Sequence, residues 1–373
     1  MSDTARSDEV GSCRCPSGGP SLGERRLPIN AAQIKSLARS LGLDACGITG
    51  AEPARHAAFY RQWTADGKAG EMAWLAREPE RRSDPARVLP GVRSIVVAGL
   101  NYWQPSPAGR GRVARYALGE DYHHVLLGKL DALAREISAS AAGAQAKVYV
   151  DTGPVLEKPL AERAGLGWQG KSTMLISPKL GPWLLLGEIL TTLELEPDAP
   201  ARDHCGSCSR CLDACPTGAI TAPYQLDARR CIAYLTIELK GSISEDLRPL
   251  IGDRVYGCDE CLEVCPWNRF ARTTREARFL APAGDAANDD LHALLEITPA
   301  EFKRRFARSP ILRVKRRGLL RNVCVVLGNI GTAEDLPALH RAEHHDEPLV
   351  REHAAWAVRQ ILEREAAAQT CPA

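Results

Sequence analysis

Eight of the chain's 13 cysteines fall between Cys205 and Cys265, in two runs whose spacing restricts the fold more than any other feature. The first run reads Cys205-Gly-Ser-Cys208-Ser-Arg-Cys211-Leu-Asp-Ala-Cys215-Pro216, a C-x2-C-x2-C-x3-C-P pattern. The second, Cys258-Asp-Glu-Cys261-Leu-Glu-Val-Cys265-Pro266, is one cysteine short, and Cys231 lies between the runs to complete the set. This is the bacterial ferredoxin spacing. Three thiolates, each separated by two residues on a looping backbone, reach three corners of one iron–sulfur cubane. The fourth, followed by proline, starts a helix pointing away and reaches the other cubane. The pattern therefore assigns Cys205, Cys208, Cys211 and Cys265 to a first [4Fe-4S] cluster. Cys215, Cys231, Cys258 and Cys261 go to a second. A pair of structural zinc ions is the competing reading, but zinc knuckles come as two C-x2-C units per ion, and each run here ends in C-x3-C-P.

An odd number of cysteines at such close spacing favours metal over disulfides in a reducing compartment. The N-terminus carries no secretory pattern. Arg25-Arg26 is a twin-arginine pair, but Lys35 and Arg39 arrive before any apolar stretch, so a cytoplasmic location is expected. No apolar run approaches about 18 residues, the length of a spanning helix. The best candidate, Leu175 to Leu193, is broken by Pro178, Lys179, Pro182 and Glu188, so no membrane association is expected. A length of 373 residues implies two or three domains, and 45% apolar with 25% charged residues excludes a mainly disordered chain. A net charge of +2 supplies no global field, so any nucleic-acid surface must be local. Cys46 and Cys324 sit in apolar segments and read as small core residues. Residues 1–27, with Cys13 and Cys15, read as a disordered leader.

Residues 28–200 alternate between helical and extended patterns. Helices are expected over Ala31–Leu41 and Tyr122–Ala142. Strands are expected over Ala45–Thr49, Ser94–Leu100, Lys147–Val150, Thr173–Ile176 and Trp183–Thr191. The content is α/β with a central sheet. Asp151 follows an apolar strand and precedes Thr152-Gly153-Pro154. A carboxylate at a strand's C-terminal end faces the crevice where α/β proteins bind ligands, and desolvation there makes it a proton donor. A turn or helix cap is the alternative role. Gly165-Leu-Gly167-Trp-Gln-Gly170-Lys171 looks like a phosphate-cradling loop. It follows a helix and precedes a strand, the wrong order for that role, and reads instead as a tight turn admitting a flat cofactor to the backbone.

Residues 201–270 form the cysteine module, 271–298 a connector, and 299–365 a helical domain. There Leu320, Val323, Cys324 and Leu327 are echoed 34 residues later by Ala354, Ala357, Val358 and Ile361, as in a HEAT-like helix-pair repeat or a plain bundle. Residues 301–321 hold Lys303, Arg304, Arg305, Arg308, Arg313, Lys315, Arg316, Arg317 and Arg321, opposed only by Glu301. Such a stripe suits a phosphate backbone. Two cubanes make an electron wire. Because a ferredoxin alone needs far fewer residues, the wire should feed something held by the first domain.

Four stretches together resemble the epoxyqueuosine reductase family: Val150–Lys158 (VDTGPVLEK), Gly165–Ile176 (GLGWQGKSTMLI), the doubled cysteine runs, and Arg229–Ile243 (RRCIAYLTIELKGSI). The resemblance covers about residues 28–365. It implies an oxidoreductase that uses cobalamin and two [4Fe-4S] clusters to reduce epoxyqueuosine to queuosine at the wobble position of tRNA, the last step of queuosine biosynthesis. It also implies an N-terminal α/β cobalamin-binding domain, a ferredoxin-like two-cluster module and an all-α HEAT-like tRNA-binding domain, working as a monomer. Asp151 would donate a proton to the departing epoxide oxygen, and so should be neutral and titrate high in a dry pocket. Leu175, Leu186, Ala233, Cys258 and Asp259 would lie near the corrin. Lys240, Arg316 and Arg317 would contact a tRNA with a GUN anticodon. The target base would be flipped into the pocket. Electrons would come from an external flavodoxin- or ferredoxin-type donor. Two alternatives remain at this point. A reductive dehalogenase usually carries an export signal, and a non-catalytic electron carrier with an RNA-docking tail needs neither cobalt nor Asp151.

Overall fold

Ser94–Asn101 (β2) is apolar from Ile95 to Leu100, so it can only sit where both faces are covered, and all eight of its residues are buried. The computed structural model describes residues 28–281 and 290–370. The leader with Cys13 and Cys15 lies outside them.

Around β2 a four-stranded sheet forms. It comprises Ala45–Gly50 (β1), β2, Ala146–Tyr149 (β3) and Leu184–Thr191 (β4), in the order β1-β2-β4-β3. Helices Ala31–Ser40 (α1) and Tyr122–Ala139 (α2) cover one face, packing Ile34, Ala38, Leu126, Leu130 and Ile137 on Val96, Ala98 and Ile189. Asn30 starts α1 in a capping box with Gln33, which satisfies backbone donors at both ends of the box. Helix Glu157–Arg163 (α3) covers the other face, where Leu160 and Ala161 meet Ile95, Val97, Leu184, Leu186 and Leu190.

Every pairing in this sheet is antiparallel. The crevice rule for parallel α/β sheets therefore does not place Asp151. Asp151 instead follows the edge strand β3 in a left-handed turn, at φ 56°. The strand expected over Thr173–Ile176 is reduced to Leu175–Ile176. It pairs with Trp168–Gln169 in a separate two-stranded ribbon. Thr173 has φ 65°, a conformation no strand accepts, so extension begins only after it.

The C-terminal helices are Pro299–Arg305 (α4), Lys315–Ile330 (α5), Leu336–Ala342 (α6) and Pro348–Thr370 (α7). Leu320, Val323, Cys324 and Leu327 of α5 share one core with Ala354, Ala357, Val358 and Ile361 of α7. The same core takes in Ile232, Leu235, Ile237 and Val255, which lie between the two cysteine runs. Residues Tyr234–Glu238 there form a π-helical turn, whose wide ring leaves carbonyls without intrahelical partners. Arg321 of α5 donates to the Leu235, Leu239 and Gly241 carbonyls at 2.7–2.8 Å, and Asn322 donates to those of Thr236 and Val255 at 2.8 Å. Both side chains are fully buried.

No described helix is long and apolar enough to cross a membrane. The close approach of α5 and α7 depends on Gly328. A Cβ there would stand 2.3 Å from the Trp356 ring and 3.0 Å from the Ala357 backbone. Gly328→Val should therefore lower stability by about 1–3 kcal/mol, the usual cost of overpacking a core. An unchanged urea midpoint would show that the two helices can separate without loss.

Candidate functional site

The first cysteine run loops at the surface, with Gly206, Ser207, Ser209 and Arg210 exposed between its thiols. Burial, then the neighbouring Cys205, Cys208 and Cys265, push the Cys211 thiol up. Cys265 likewise has Cys205 and Cys208 as its thiol neighbours. The other four, Cys215, Cys231, Cys258 and Cys261, line one enclosed cavity of about 200 Å3 together with Thr173, Met174 and Ala233. Burial drives the Cys258 thiol up to about 12 and that of Cys261 well above its usual value. Thiols crowded and dried in this way give up their protons only to a strongly bound cation, which is what an iron–sulfur cluster supplies. All ten described cysteines are free.

The Gly165–Lys171 turn holds the first cysteine loop in place. Trp168 Nε1 donates to Cys205 Sγ at 3.4 Å, and Lys171 Nζ donates to the carbonyls of Gly206 at 2.6 Å and Cys208 at 3.0 Å. A Cβ on Gly170 would lie 2.4 Å from Ile176 and 3.4 Å from Cys205 Sγ. What the missing Cβ makes room for is the Ile176 side chain, with Cys205 Sγ in ordinary contact beside it.

A second cluster of groups lies beyond the edge of the sheet. Asp121 caps α2 by accepting from the His123 N–H at 3.0 Å, and this places its carboxylate 2.6 Å from His123 Nδ1. The other ring nitrogen, Nε2, lies 3.3 Å from Asp151 Oδ2. Burial lowers the basicity of His123, but its bonds to Asp121 and Asp151 outweigh this and raise its pKa to about 9. Burial raises the Asp151 carboxyl, yet the hydrogen bond and charge of His123, the charge of Arg313 and the Tyr122 hydroxyl together hold it below the usual value. These neighbours act against the neutral, high-titrating Asp151 expected from the sequence and favour the proton on His123.

Behind Asp151 stand two carboxyls that sequence reasoning missed. The Asp151 N–H donates to Glu157 Oε1 at 2.5 Å, which pins the left-handed turn. Burial and the Asp151 charge raise Glu157 to about 7. Glu188, in the middle of β4, is fully buried, and neither of its oxygens meets a donor. As a carboxylate it would be unsolvated beside another acid; as a carboxylic acid its hydroxyl can donate to Glu157. Burial and Glu157 accordingly raise it well above its usual value. The only sequence signal for Glu188 was a lone charge interrupting a strand of leucines.

Lys158 lies between these acids and the cavity thiols. Burial lowers its pKa against the opposing pull of Glu157, Asp151, Cys261 and Cys231. Its one recorded hydrogen bond is to the weak thioether acceptor Met174 Sδ, at 3.8 Å. Arg313 reaches the mouth. It bonds Glu238 at 2.5 and 3.0 Å, and its guanidinium lies 5.3 Å over the Trp74 ring. Arg82 ties the Trp74 carbonyl to that of Gly153 in the Asp151 loop.

Of the residues singled out from sequence, Ala233, Cys258 and Asp259 line the thiol cavity. The Asp259 carboxylate accepts from Arg115 N at 2.9 Å and from its guanidinium at 3.3 Å. Leu175 and Leu186 are buried instead in the α3-side core, on the face that also carries Glu188. Lys240 is exposed near Arg313, Lys315 and Arg321, and Arg317 neighbours Arg321. Arg316 turns elsewhere, to the Ile297 carbonyl at 2.5 Å and His345 at 3.2 Å. The nine-cation stripe is weaker than its composition suggests. Arg321 is buried, Arg313 is paired with Glu238, and Arg308 is paired with Glu120.

Comparison with known proteins accords with the cysteine module. A family model described as a 4Fe-4S double cluster binding domain matches residues 204–268. One described as epoxyqueuosine reductase QueG, DUF1730, matches residues 82–152. The epoxyqueuosine reductase of Xanthomonas campestris pv. campestris is 47% identical over 340 residues, covering 88% of this chain and 96% of that protein. A crystal structure of epoxyqueuosine reductase with a tRNA-Tyr epoxyqueuosine-modified stem loop superposes with TM-score 0.81 at 34% identity, over 92% of this chain and 94% of that one. The Bacillus subtilis enzyme, solved with its catalytic aspartate loop swung out of the active site, gives TM-score 0.76 at 32% identity, over 91% and 94%.

The His123 ion pairs make a pH prediction. The folded value of about 9 lies above the usual 6.5, so their stabilisation is full below 6.5 and is lost as pH rises through 9. The melting-temperature gap between wild type and His123→Gln should therefore narrow between about pH 6 and pH 9.5. A gap that stays constant would mean the ring carries no charge at neutral pH.

Proposed function

Because the chain belongs to the epoxyqueuosine reductase family, we propose that its two thiol sets hold a pair of [4Fe-4S] clusters and that a cobalamin lies between the second set and Asp151. The enzyme is an oxidoreductase that reduces epoxyqueuosine to queuosine at the wobble position of tRNA, completing queuosine biosynthesis. The reaction consumes two electrons and two protons; the epoxide oxygen leaves as water and the two carbons are left doubly bonded.

The observation that carries this reading is the placement of Asp151. It stands between a histidine and a buried acid pair, and Lys158 feels both that side and the Cys231 and Cys261 thiols of the second set. The enclosed Lys158 ammonium, bonded only to a thioether, suits a corrin, whose rim of carboxamides offers the carbonyl acceptors it lacks. Ala233, Cys258 and Asp259 would bound the corrin on the cluster side, and Leu175 and Leu186 would back the sheet side. Bound cobalamin supplies the low-potential cobalt chemistry that opens the carbon–oxygen bond. His123 holds one proton on Nε2 against Asp151 Oδ2. That proton passes through Asp151 to the oxygen as negative charge develops there, which leaves His123 neutral, and the second proton comes from solvent. Glu157 fixes the turn that aims Asp151. The swung-out aspartate loop of the Bacillus subtilis relative supports giving that role to a loop of this kind.

On this reading residues 28–200 hold the corrin and 201–270 the clusters, and 271–298 connect them to the outer helices. The helices of 299–365, taken as a HEAT-like pair, hold the tRNA. Lys240 and Arg317 meet its phosphates, and the flipped base enters beside Trp74 and Arg313. The protein works as a cytoplasmic monomer, with single electrons from a flavodoxin- or ferredoxin-type donor.

Asp151→Asn should lower turnover by at least about 100-fold while iron content and stem-loop binding persist; near-normal turnover would remove the proton-donor role. Arg317→Ala should weaken stem-loop binding and reduce its salt slope by about one. Arg316→Ala should do less, since its guanidinium is already engaged. The opposite ranking would move the RNA to the other side of α5.

A further inference from the structure

A cleft of about 980 Å3 lies away from the groups described above. Its walls come from α1, from the Ser177–Leu180 loop and from the stretch just after the second cysteine run. Five cations line it against two acids. Lys35 pairs with Asp198 and Arg275 with Asp44, which leaves Arg39, Lys179 and Arg272 exposed and without an acidic partner among the described residues.

One wall leads inward through contiguous rings. Phe270 lines the cleft and lies 5.4 Å from Trp267. Trp267 lies 4.8 Å from Trp168, whose Nε1 is 3.4 Å from Cys205 Sγ. Arg269 is exposed and covers the outer end of this path, 4.7 Å from the Phe270 ring centre. The first thiol set therefore has an aromatic path to this basic surface.

We propose that this basic cleft and its aromatic wall form the docking surface for an acidic one-electron carrier protein, which reduces the first cluster. The proposal rests on the reading that the thiols carry clusters. In each docking the carrier is oxidised by one electron and the first cluster is reduced by one, so two dockings supply one epoxide. Positive charge without acidic partners steers an acidic protein to the cleft and holds it in register. The cations proposed to meet the tRNA phosphates, Lys240 and Arg317, lie on α5 and just after the π-helical turn and do not line this cleft, so substrate and reductant need not compete.

The test is the full-length Arg39→Glu/Lys179→Glu/Arg272→Glu variant, together with Lys179→Glu alone, each checked for iron content and stem-loop affinity. Turnover is driven either by reduced flavodoxin, an acidic carrier, or by sodium dithionite, which needs no docking. The triple variant should raise the KM for flavodoxin at least about tenfold and flatten its salt dependence, with a smaller effect from Lys179→Glu, while dithionite-driven turnover stays within about twofold of wild type. An unchanged flavodoxin KM would overturn the proposal. So would lost stem-loop affinity with intact carrier kinetics, which would assign the cleft to RNA. Wild-type protein that binds no iron would overturn the cluster reading instead, and the docking proposal with it.

Discussion

Each set of four thiols borrows a member from the other's stretch of chain. Cys265 returns to the neighbourhood of Cys205 and Cys208, while Cys215 leaves its own run for the cavity shared with Cys231, Cys258 and Cys261. This exchange sets the layout of the middle of the molecule. It brings the two runs side by side and traps Cys231 between them. It also directs residues 232–256, which span the gap, outward into a core completed by the C-terminal helices. The sheet domain meets the same centre through Trp168 and Lys171, which hold the first cysteine loop by a sulfur and two carbonyls. Removing the cysteine exchange would leave the three parts with much less reason to touch.

The acid site works by balance rather than by isolation. A carboxyl alone in a dry pocket would keep its proton by desolvation. Asp151 has a histidine in front, an arginine nearby and two acids behind, so its charge is decided by neighbours contributed by α2, α3, β4 and the segment before α5. The pair Glu157–Glu188 supplies negative potential that Asp151 must share, and His123 answers it. Proton position is then sensitive to any change at the mouth, such as a substrate that displaces Arg313 from Glu238 or covers the Asp151 carboxyl.

Much of this was legible in the sequence, for identifiable reasons. The cysteine sets follow from ligand spacing, a local property, and the strands β1, β2 and β4 from short apolar stretches between turn signals. What failed was non-local. Strand direction depends on connections that periodicity does not record, so the sheet's antiparallel pairing was not foreseen. The basic stripe of 301–321 was counted within its own segment, but Glu238 and Glu120, far away in the chain, pair two of its arginines, and the carbonyls of the π-helical turn absorb a third. His123 carried no pattern at all. It joined the acid cluster only because the cap of α2 and the turn after β3 meet on it.

Arg321 and Asn322, adjacent in α5, are both spent on carbonyls of a single irregular turn next to Ala233 and Lys240. The outer helices are thus keyed to the wall of the redox cavity at the atomic level, and tilting them would strand a guanidinium in a dry interior. If the outer helices hold RNA as proposed, adaptation to a different RNA must come from redecorating exposed positions such as Lys315 and Arg317. The angle between those helices and the cysteine cavity stays out of reach of gradual change.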